Sequence, residues 1–395
     1  MNAKCRFVHC ADLHLGSRFR GITQKDPGTG ESLTESVFGS FSRIVDIASG
    51  DDIDFMVISG DVFDEETITP ATRMRFVNEL GRLGKPCYIA RGNHDPRTSW
   101  ESSIPYPPNV VEFGTEPESH SVEGVDGVEV IGVSFRDWHE ERNLPQLIHG
   151  DPSRFTIACL HCDVDSVGAE YSYSPCRLAD LSGRGVDYWA LGHIHKRAVL
   201  STSPYVVYPG NIQGRKITEA GEKGAYVVTV SDGTVTDAEF IPTQRFVWDI
   251  IDTDITGKSL PQVIEELKGR IGRNTIVRFR FTGSGPLDSM LRLHTDDVEM
   301  QLGSQIGCVT CGMIAETSPE IDIESRAEGS DMTACVIRSG RALAASGRQE
   351  ILDRIASNPV AKSRMDFFES LTDEQLSQLA DSAMRLLVAR MEGPQ

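Results

Sequence analysis

The sequence has little positive charge for its size: 39 lysines and arginines stand against 58 aspartates and glutamates, a formal net charge of −19. This balance argues against a protein that binds nucleic acid over its whole surface, because such binding depends on basic side chains that neutralise phosphates. A local basic groove remains open, and so does a site in which metal ions supply the positive charge.

Long apolar runs are also missing, and none approaches the roughly 20 residues needed to span a bilayer. The first residues enter a strand pattern without the features of a signal peptide. The nine cysteines are odd in number and scattered, which does not fit a disulfide framework. These features predict a cytoplasmic protein in a reducing compartment, with no membrane partner.

Short apolar runs alternate with stretches of helical periodicity in the first part of the chain. Residues 55–58 and 87–90 are two such runs, and each follows a helix-like stretch, at about 31–49 and 67–83. Further β-like runs up to residue 241 are separated by glycine, serine and acidic residues. The pattern predicts an α/β fold in which a two-sheet β sandwich is flanked by helices.

The length of 395 residues predicts two or three domains. A change in the residue pattern at Pro242-Thr243 predicts a first domain at 1–245, followed by a small α+β module at 246–338. Residues 339–395 are predicted to form a helical C-terminal region, in which Thr372 and Gln375 make a capping-box pattern. The apolar face of this region is equally suited to docking a partner and to packing on its own domain.

The stretch around which the chain is organised is Gly92-Asn93-His94-Asp95, directly after the run at 87–90. It brings an amide, an imidazole and a carboxylate together at a predicted strand end. Ligands bind at the carboxyl ends of strands in open α/β sheets, although a polar turn would use similar residues.

Other predicted strand ends carry the same kinds of side chain, which favours a ligand site over a polar turn. Asp12 and His14, like His193 and His195, are two positions apart, a spacing that turns both side chains to one side of an extended segment. Mixed carboxylate, imidazole and amide ligands suit Mn, Fe or Zn. The predicted metal ligands are Asp12, His14, Asp61, Asn93, His161, His193 and His195.

Seven ligands are too many for one ion but suit two divalent ions that share a bridging carboxylate, for which Asp61 is the best candidate. Such a pair, about 3.5–4 Å apart, activates a hydroxide and stabilises both oxygens of an in-line attack on phosphorus. Mn²⁺ is the favoured metal, with Fe or Zn as alternatives.

The ordered motifs Asp-x-His, Gly-Asp-x-x-Asp, Gly-Asn-His-Asp, a lone histidine and Gly-His-x-His resemble the calcineurin-like metallophosphoesterases. The resemblance covers residues 1 to about 215. Residues 11–16 and 208–214 are similar to the DNA-repair exonuclease branch, the SbcD-like nuclease subunits, and the module after residue 245 is similar to the capping domain of that branch.

This resemblance implies a role for each matching residue. One metal ion would be held by Asp12, His14, Asp61 and His195, and the second by Asp61, Asn93, His161 and His193. His94 would be the catalytic histidine, which stabilises the transition state or protonates the leaving oxygen. Asp95, by adjacency, would orient His94.

One position departs from the pattern of the repair nucleases. They usually carry a histidine after Gly-Asp-x-Phe, whereas this chain has Asp64. A carboxylate donates a proton only when its pKa is raised, so Asp64 is expected to orient His94 instead. The departure puts nuclease efficiency in question but leaves phosphoester hydrolysis untouched.

The implied function is hydrolysis of DNA phosphodiester bonds by a repair exonuclease, with an SMC-like ATPase as partner and a homodimer as a further possibility. Basic residues near the predicted rim are candidate contacts to DNA phosphates: Arg18, Arg20, Arg97, Arg215 and Lys216. The alternatives are a phosphomonoesterase or cyclic-nucleotide phosphodiesterase for small substrates, and a non-catalytic scaffold subunit.

Overall fold

A computed structural model describes residues 3–17, 19, 27–64, 68–97, 104–165, 173–272, 274–320 and 322–392. The chain folds as two compact units, Met1–Asp249 with Asn274–Ile276 and Ile250–Arg273 with Val277–Gln395. The finer division into a capping module and a helical region stays a prediction.

Fourteen strands lie in the described part of the first unit. They are β1 (Cys5–Cys10), β2 (Phe55–Ser59), β3 (Cys87–Ala90), β4 (Val110–Glu112), β5 (Glu118–Ser121), β6 (Val128–Val133), β7 (Phe155–His161), β8 (Asp163–Val164), β9 (Pro175–Cys176), β10 (Tyr188–Gly192), β11 (Ala198–Thr202), β12 (Tyr205–Tyr208), β13 (Gly224–Ser231) and β14 (Thr234–Pro242). The helices are α1 (Pro27–Ala48) and α2 (Pro70–Leu83), with short 3₁₀ helices at Leu144–Leu147, Leu178–Leu181 and Ile217–Glu219.

Twelve of these strands form two six-stranded sheets, in the orders β14-β13-β1-β2-β3-β4 and β11-β12-β10-β7-β6-β5. In the first sheet, β1, β2 and β3 are parallel neighbours, so the loops that follow them leave from one edge. In the second sheet, β7 and β10 are parallel, with Gly192 opposite His161 at their ends. The strand ends singled out in the sequence therefore lie at the carboxyl ends of parallel strands in both sheets.

The core between the sheets is rich in aromatic residues, because strands buried on both faces take apolar side chains throughout. Phe7 and Phe55 stack with ring centroids 5.1 Å apart, and Tyr188 from the opposite sheet meets Phe7 edge-on at 5.2 Å. Outside the sandwich, Phe41 of α1 packs against Phe76 of α2 at 5.2 Å. The predicted α/β fold, with two packed sheets and flanking helices, is confirmed.

A three-stranded sheet, most of whose residues belong to the second unit, has its strands in the order β15 (Val247–Asp254), β16 (Thr275–Ser284) and β17 (Val309–Ser318). The helices of the second unit are α3 (Leu260–Lys268), α4 (Asp288–Leu293), α5 (Thr295–Ile306), α6 (Ile323–Ala327), α7 (Met332–Ala344), α8 (Arg348–Ala356), α9 (Pro359–Lys362), α10 (Met365–Ser370) and α11 (Asp373–Glu392). Among the described residues, no helix is both long and apolar enough to cross a bilayer.

Candidate metal centre

Four of the predicted ligands have backbones in the left-handed region: Asp12 (φ 52°), His14 (φ 46°), Asp61 (φ 49°) and His193 (φ 105°). Each such residue costs on the order of 1–3 kcal/mol and persists only when the surrounding structure holds it in place. Here the loops after β1 and β2 hold each other, since the amides of Asp12 and His14 donate to the carbonyls of Gly60 (3.1 Å) and Asp61 (3.0 Å). The strain is therefore concentrated at the predicted site.

One group of side chains offers four ligand atoms within 4.8 Å of one another, from Asp12, His14, Asp61 and His195. The Nε2 atoms of His14 and His195 lie 3.1 Å apart. The Nδ1 atom of His14 lies 2.6 Å from Asp64, and that of His195 lies 2.9 Å from Glu219.

These contacts fix which nitrogen carries the proton. Burial raises the pKa of the Asp64 and Glu219 carboxyls, but hydrogen bonds from the histidines outweigh burial and hold both pKa values well below the usual range. Ionised carboxylates only accept, so each Nδ1 donates and each Nε2 presents a lone pair. Burial lowers the pKa of His14, which keeps its Nε2, facing that of His195, without a proton. A metal cation satisfies this arrangement.

A second group meets on the other side of Asp61. The Nδ1–H of His161 donates to the carbonyl of Ser59 (3.0 Å), which leaves its Nε2 lone pair facing Asn93 Oδ1 at 3.1 Å. Asn93 Oδ1 also lies 3.2 Å from His193 Nδ1. The Nε2 lone pair of His161 and the Asn93 oxygen thus point at one another, and these residues fit a second ion.

Asp61 lies between the two groups. Its Oδ2 is 3.7 Å from His14 Nε2 and 3.5 Å from His161 Nε2. Burial raises the pKa of this carboxyl, but the neighbouring His161 and His14 outweigh burial and lower it below the ordinary value. The amide of His94 donates to Asp61 Oδ1 at 2.9 Å and fixes the carboxylate further. This is the position that a bridging ligand requires.

Two glycines leave room for this packing. At Gly60, whose φ is +91°, a Cβ atom would lie 2.8 Å from Cγ of His161, and at Gly92 it would lie 2.9 Å from Cγ of Asp61. Real Cβ atoms almost never approach so closely. Gly92 is not among the left-handed glycines, so close approach rather than a turn explains why this position is glycine.

The predicted catalytic histidine lies at the rim, where the side chain of His94 is 48% exposed and its Nδ1 is 3.1 Å from Asp64 Oδ1. Burial lowers its pKa, but Asp64 and Asp61 outweigh burial and raise the pKa to about 9 in the metal-free chain. Asp64 thus contacts both His94 and His14, as an acceptor rather than an acid.

The role predicted for Asp95 needs a correction. Its buried carboxylate accepts from the amides of Val62 and Gly92, both at 2.9 Å, and its described hydrogen bonds do not include His94. Asp95 ties the loop after β3 to the loop after β2, because the left-handed backbone at Asp61 turns the following amide toward it. The carboxylate that contacts His94 is that of Asp64.

The predicted DNA-contacting residues differ in their surroundings. Arg18 and Arg20 lie outside the described residues. Arg97 is paired with Glu112, which also binds Arg91. Arg215 and Lys216 both lie beside the buried carboxylate of Glu219.

Arg215 lies within 3.4 Å of both Asp64 and Glu219, and its side chain is only 15% exposed. Lys216, with its side chain 62% exposed, is the most accessible of the three that the structure describes. Sequence reasoning missed Glu219, which is buried four residues after Arg215 with no recognisable motif spacing.

The fold and the ligand groups together define a metal-dependent hydrolase. The profile of the family described as Calcineurin-like phosphoesterase matches residues 5–197. The chain is 33% identical over 295 residues to the uncharacterized metallophosphoesterase YhaO of Bacillus subtilis, covering 71% of this chain and 72% of that protein. The chain therefore belongs to the calcineurin-like metallophosphoesterases.

More distant similarity extends to two further proteins. The DNA double-strand break repair protein Mre11 of Sulfolobus acidocaldarius is 24% identical over 306 residues, which cover 71% of this chain and 76% of that protein. The crystal structure of a dimetal phosphatase from Danio rerio is 11% identical with a TM-score of 0.36, covering 58% of this chain and 94% of that chain.

Proposed function

We propose that this protein is a two-metal phosphodiesterase that hydrolyses DNA as a repair exonuclease. The observation that carries the proposal is the meeting of histidine nitrogens with carboxylate and amide oxygens on both sides of Asp61. Similarity to a protein named for DNA double-strand break repair supports DNA as the substrate.

The proposed ligands are Asp12, His14, Asp61 and His195 for one ion and Asp61, Asn93, His161 and His193 for the other, with Mn²⁺ favoured. Bound divalent ions supply Lewis acidity and lower the pKa of water to near neutrality. The chain contributes orientation: Asp64 holds Nδ1 of His94, which leaves Nε2 available to give a proton to the leaving oxygen.

The experiment is hydrolysis of linear duplex DNA by the Mn²⁺-loaded full chain. We expect His94→Ala to lower the rate by about 10²–10⁴-fold while two Mn²⁺ remain bound, because general acid catalysis is worth that much. His120→Ala, on edge strand β5, is the matched control and should keep full activity. Activity that survives His94→Ala would remove this residue from the mechanism.

A phosphodiesterase or phosphomonoesterase for small substrates is the second candidate. Arg97 and Arg215 are engaged by carboxylates, which leaves little free positive charge for a polymer among the described rim residues. A panel of duplex DNA, single-stranded DNA, cyclic nucleotides and simple esters separates the two. Turnover of small esters alone would select the second candidate, and metal binding without any turnover would indicate a scaffold subunit.

The proposed partners follow from the resemblance to the SbcD-like nuclease subunits. An SMC-like ATPase and a second copy of the chain are the candidates, and co-purification with size measurement in solution tests both. A cytoplasmic location stays a prediction.

A further inference from the structure

A buried carboxylate behind the metal centre contacts only one of the proposed ligands. Glu219, at the end of the 3₁₀ helix Ile217–Glu219, is 5% exposed, and its Oε1 lies 2.9 Å from Nδ1 of His195. Its other oxygen accepts from the backbone amide of Arg215 (2.8 Å) and from Nδ2 of Asn211 (2.9 Å). Every oxygen therefore faces a donor, as an ionised carboxylate requires.

The same segment also holds the backbone of His195. Lys223, 5% exposed, donates from Nζ to the carbonyl of His195 at 2.7 Å. Ring and backbone of this one ligand are thus fixed by residues 211–223, directly after strand β12. The sequence stretch at 208–214, similar to the repair nucleases, leads into this support.

The two proposed histidine ligands that are buried, His14 and His161, each have their own acceptor. His14 donates to Asp64, and His161 donates to the carbonyl of Ser59. Glu219 is the corresponding acceptor for His195. An acceptor behind a metal-bound histidine fixes its tautomer and ring angle, and loss of such a group typically costs 10–100-fold in metal affinity or activity.

We propose that Glu219 is a positioning residue that fixes His195 with its Nε2 lone pair directed at the ion shared with Asp12, His14 and Asp61. The inference rests on the proposed two-metal site and adds a residue to it. It applies to one ion only, because Glu219 has no described contact with Asn93, His161 or His193.

The test compares Glu219→Gln with Glu222→Gln in the full chain. Glu222 is the matched control, since its side chain is 54% exposed and paired with Arg197 at the surface. Titration with Mn²⁺, followed by calorimetry and electron paramagnetic resonance, resolves the two binding steps. We expect Glu219→Gln to weaken one step by about 10–100-fold and the other by less than about threefold, with Glu222→Gln unchanged.

A double-mutant cycle separates positioning from general support of the fold. If Glu219 acts through His195, then Glu219→Gln should cause no further loss of Mn²⁺ affinity in a His195→Ala background. Nitrogen-15 NMR of the metal-free protein should show Nδ1-protonated His195 in the wild type and a mixture of tautomers in Glu219→Gln.

Three results would overturn the inference: wild-type affinity at both steps in Glu219→Gln, equal loss at both steps, or additive losses in the cycle. Failure of the wild type to bind two Mn²⁺ would instead overturn the proposed function. The two failures are therefore distinguishable.

Discussion

A single methyl group at Gly92 is expected to disable the site. A Cβ atom there would lie 2.9 Å from both Cγ and the backbone nitrogen of Asp61, and closer still to Oδ1. Ordinary van der Waals contact begins at about 3.4 Å, so Cγ of Asp61 has to move away from the new Cβ atom by at least about 0.5 Å. The loops cannot simply separate, because Asp95 ties Gly92 to Val62.

The expected loss of activity in Gly92→Ala follows from the position of Asp61 between the two ligand groups. Functional constellations tolerate displacements of about 0.5 Å, and a 1 Å misplacement costs on the order of 10²-fold in rate. We therefore expect Gly92→Ala to lower kcat/KM by about 10²-fold, equivalent to about 2.7 kcal/mol. Mn²⁺ affinity should fall at both steps, since Asp61 faces both groups.

The assay is hydrolysis of bis(p-nitrophenyl) phosphate with Mn²⁺ titrations, alongside circular dichroism and thermal unfolding. Gly81→Ala in α2 is the matched control: nothing lies within 4 Å of its new methyl group, and removing a helical glycine should stabilise the protein by about 0.5–1 kcal/mol. A folded Gly92→Ala protein with wild-type Mn²⁺ affinity and a rate within about threefold of the wild type would refute the reasoning.

Four other substitutions test the surroundings of the site. Asp64→Asn should lower turnover by about 10–100-fold in steady-state assays, because two histidines lose their ionised acceptor. Lys216→Gln should reduce the salt slope of DNA binding by about one, whereas Arg97→Gln, already paired with a carboxylate, should leave it unchanged in salt titrations. His9→Gln should remove part of the acid sensitivity of the metal-free protein. Burial lowers the pKa of His9 to about 3, against about 6.5 unfolded, so the wild type loses up to about 1.4 kcal/mol of unfolding free energy per unit as pH falls below 6.5.

The outcomes that contradict these predictions are specific. Full turnover in Asp64→Asn would mean that its hydrogen bonds do not orient the histidines. A changed salt slope in Arg97→Gln would return that residue to the DNA contacts. Identical pH dependence of unfolding in His9→Gln and the wild type would show that His9 is protonated in the folded state.

The fold and the strand-end positions of the proposed ligands could be predicted because they follow from local rules. Apolar runs mark buried strands, and ligands at i and i+2 share one side of an extended segment. At Asp12 and His14, however, the backbone turns left-handed. The sequence pattern located these residues correctly at a strand end, while hydrogen bonds between loops, which have no local signature, determine their orientation.

The hydrogen-bond acceptors that support the histidine ligands could not be predicted, because they too have no local signature in the sequence. The acceptor for His161 is a backbone carbonyl, which every residue has, and the acceptor for His195 lies 24 residues away in a short 3₁₀ helix. Asp95 was misassigned because adjacency in sequence suggested contact with His94. Neighbouring side chains at a turn point in different directions, and the Asp95 carboxylate accepts instead from the amide of Gly92 in its own loop and from that of Val62 in the loop after β2.

Arg215 connects these supports, which gives it a role beyond the one that its position in the sequence suggested. Its guanidinium lies within 3.4 Å of Asp64 and of Glu219, the two carboxylates that orient His14 and His195. Glu219 is buried and Asp64 is 18% exposed, so these carboxylates beside Asp12 and Asp61 would repel one another. Removing the partner of a buried charge is costly because the remaining charge stays uncompensated. Arg215 offsets part of this negative charge, and at Glu219 it adds to the hydrogen bond from His195 in holding the pKa of the carboxyl below its usual range. A phosphate contact at Arg215 would have to compete with both carboxylates.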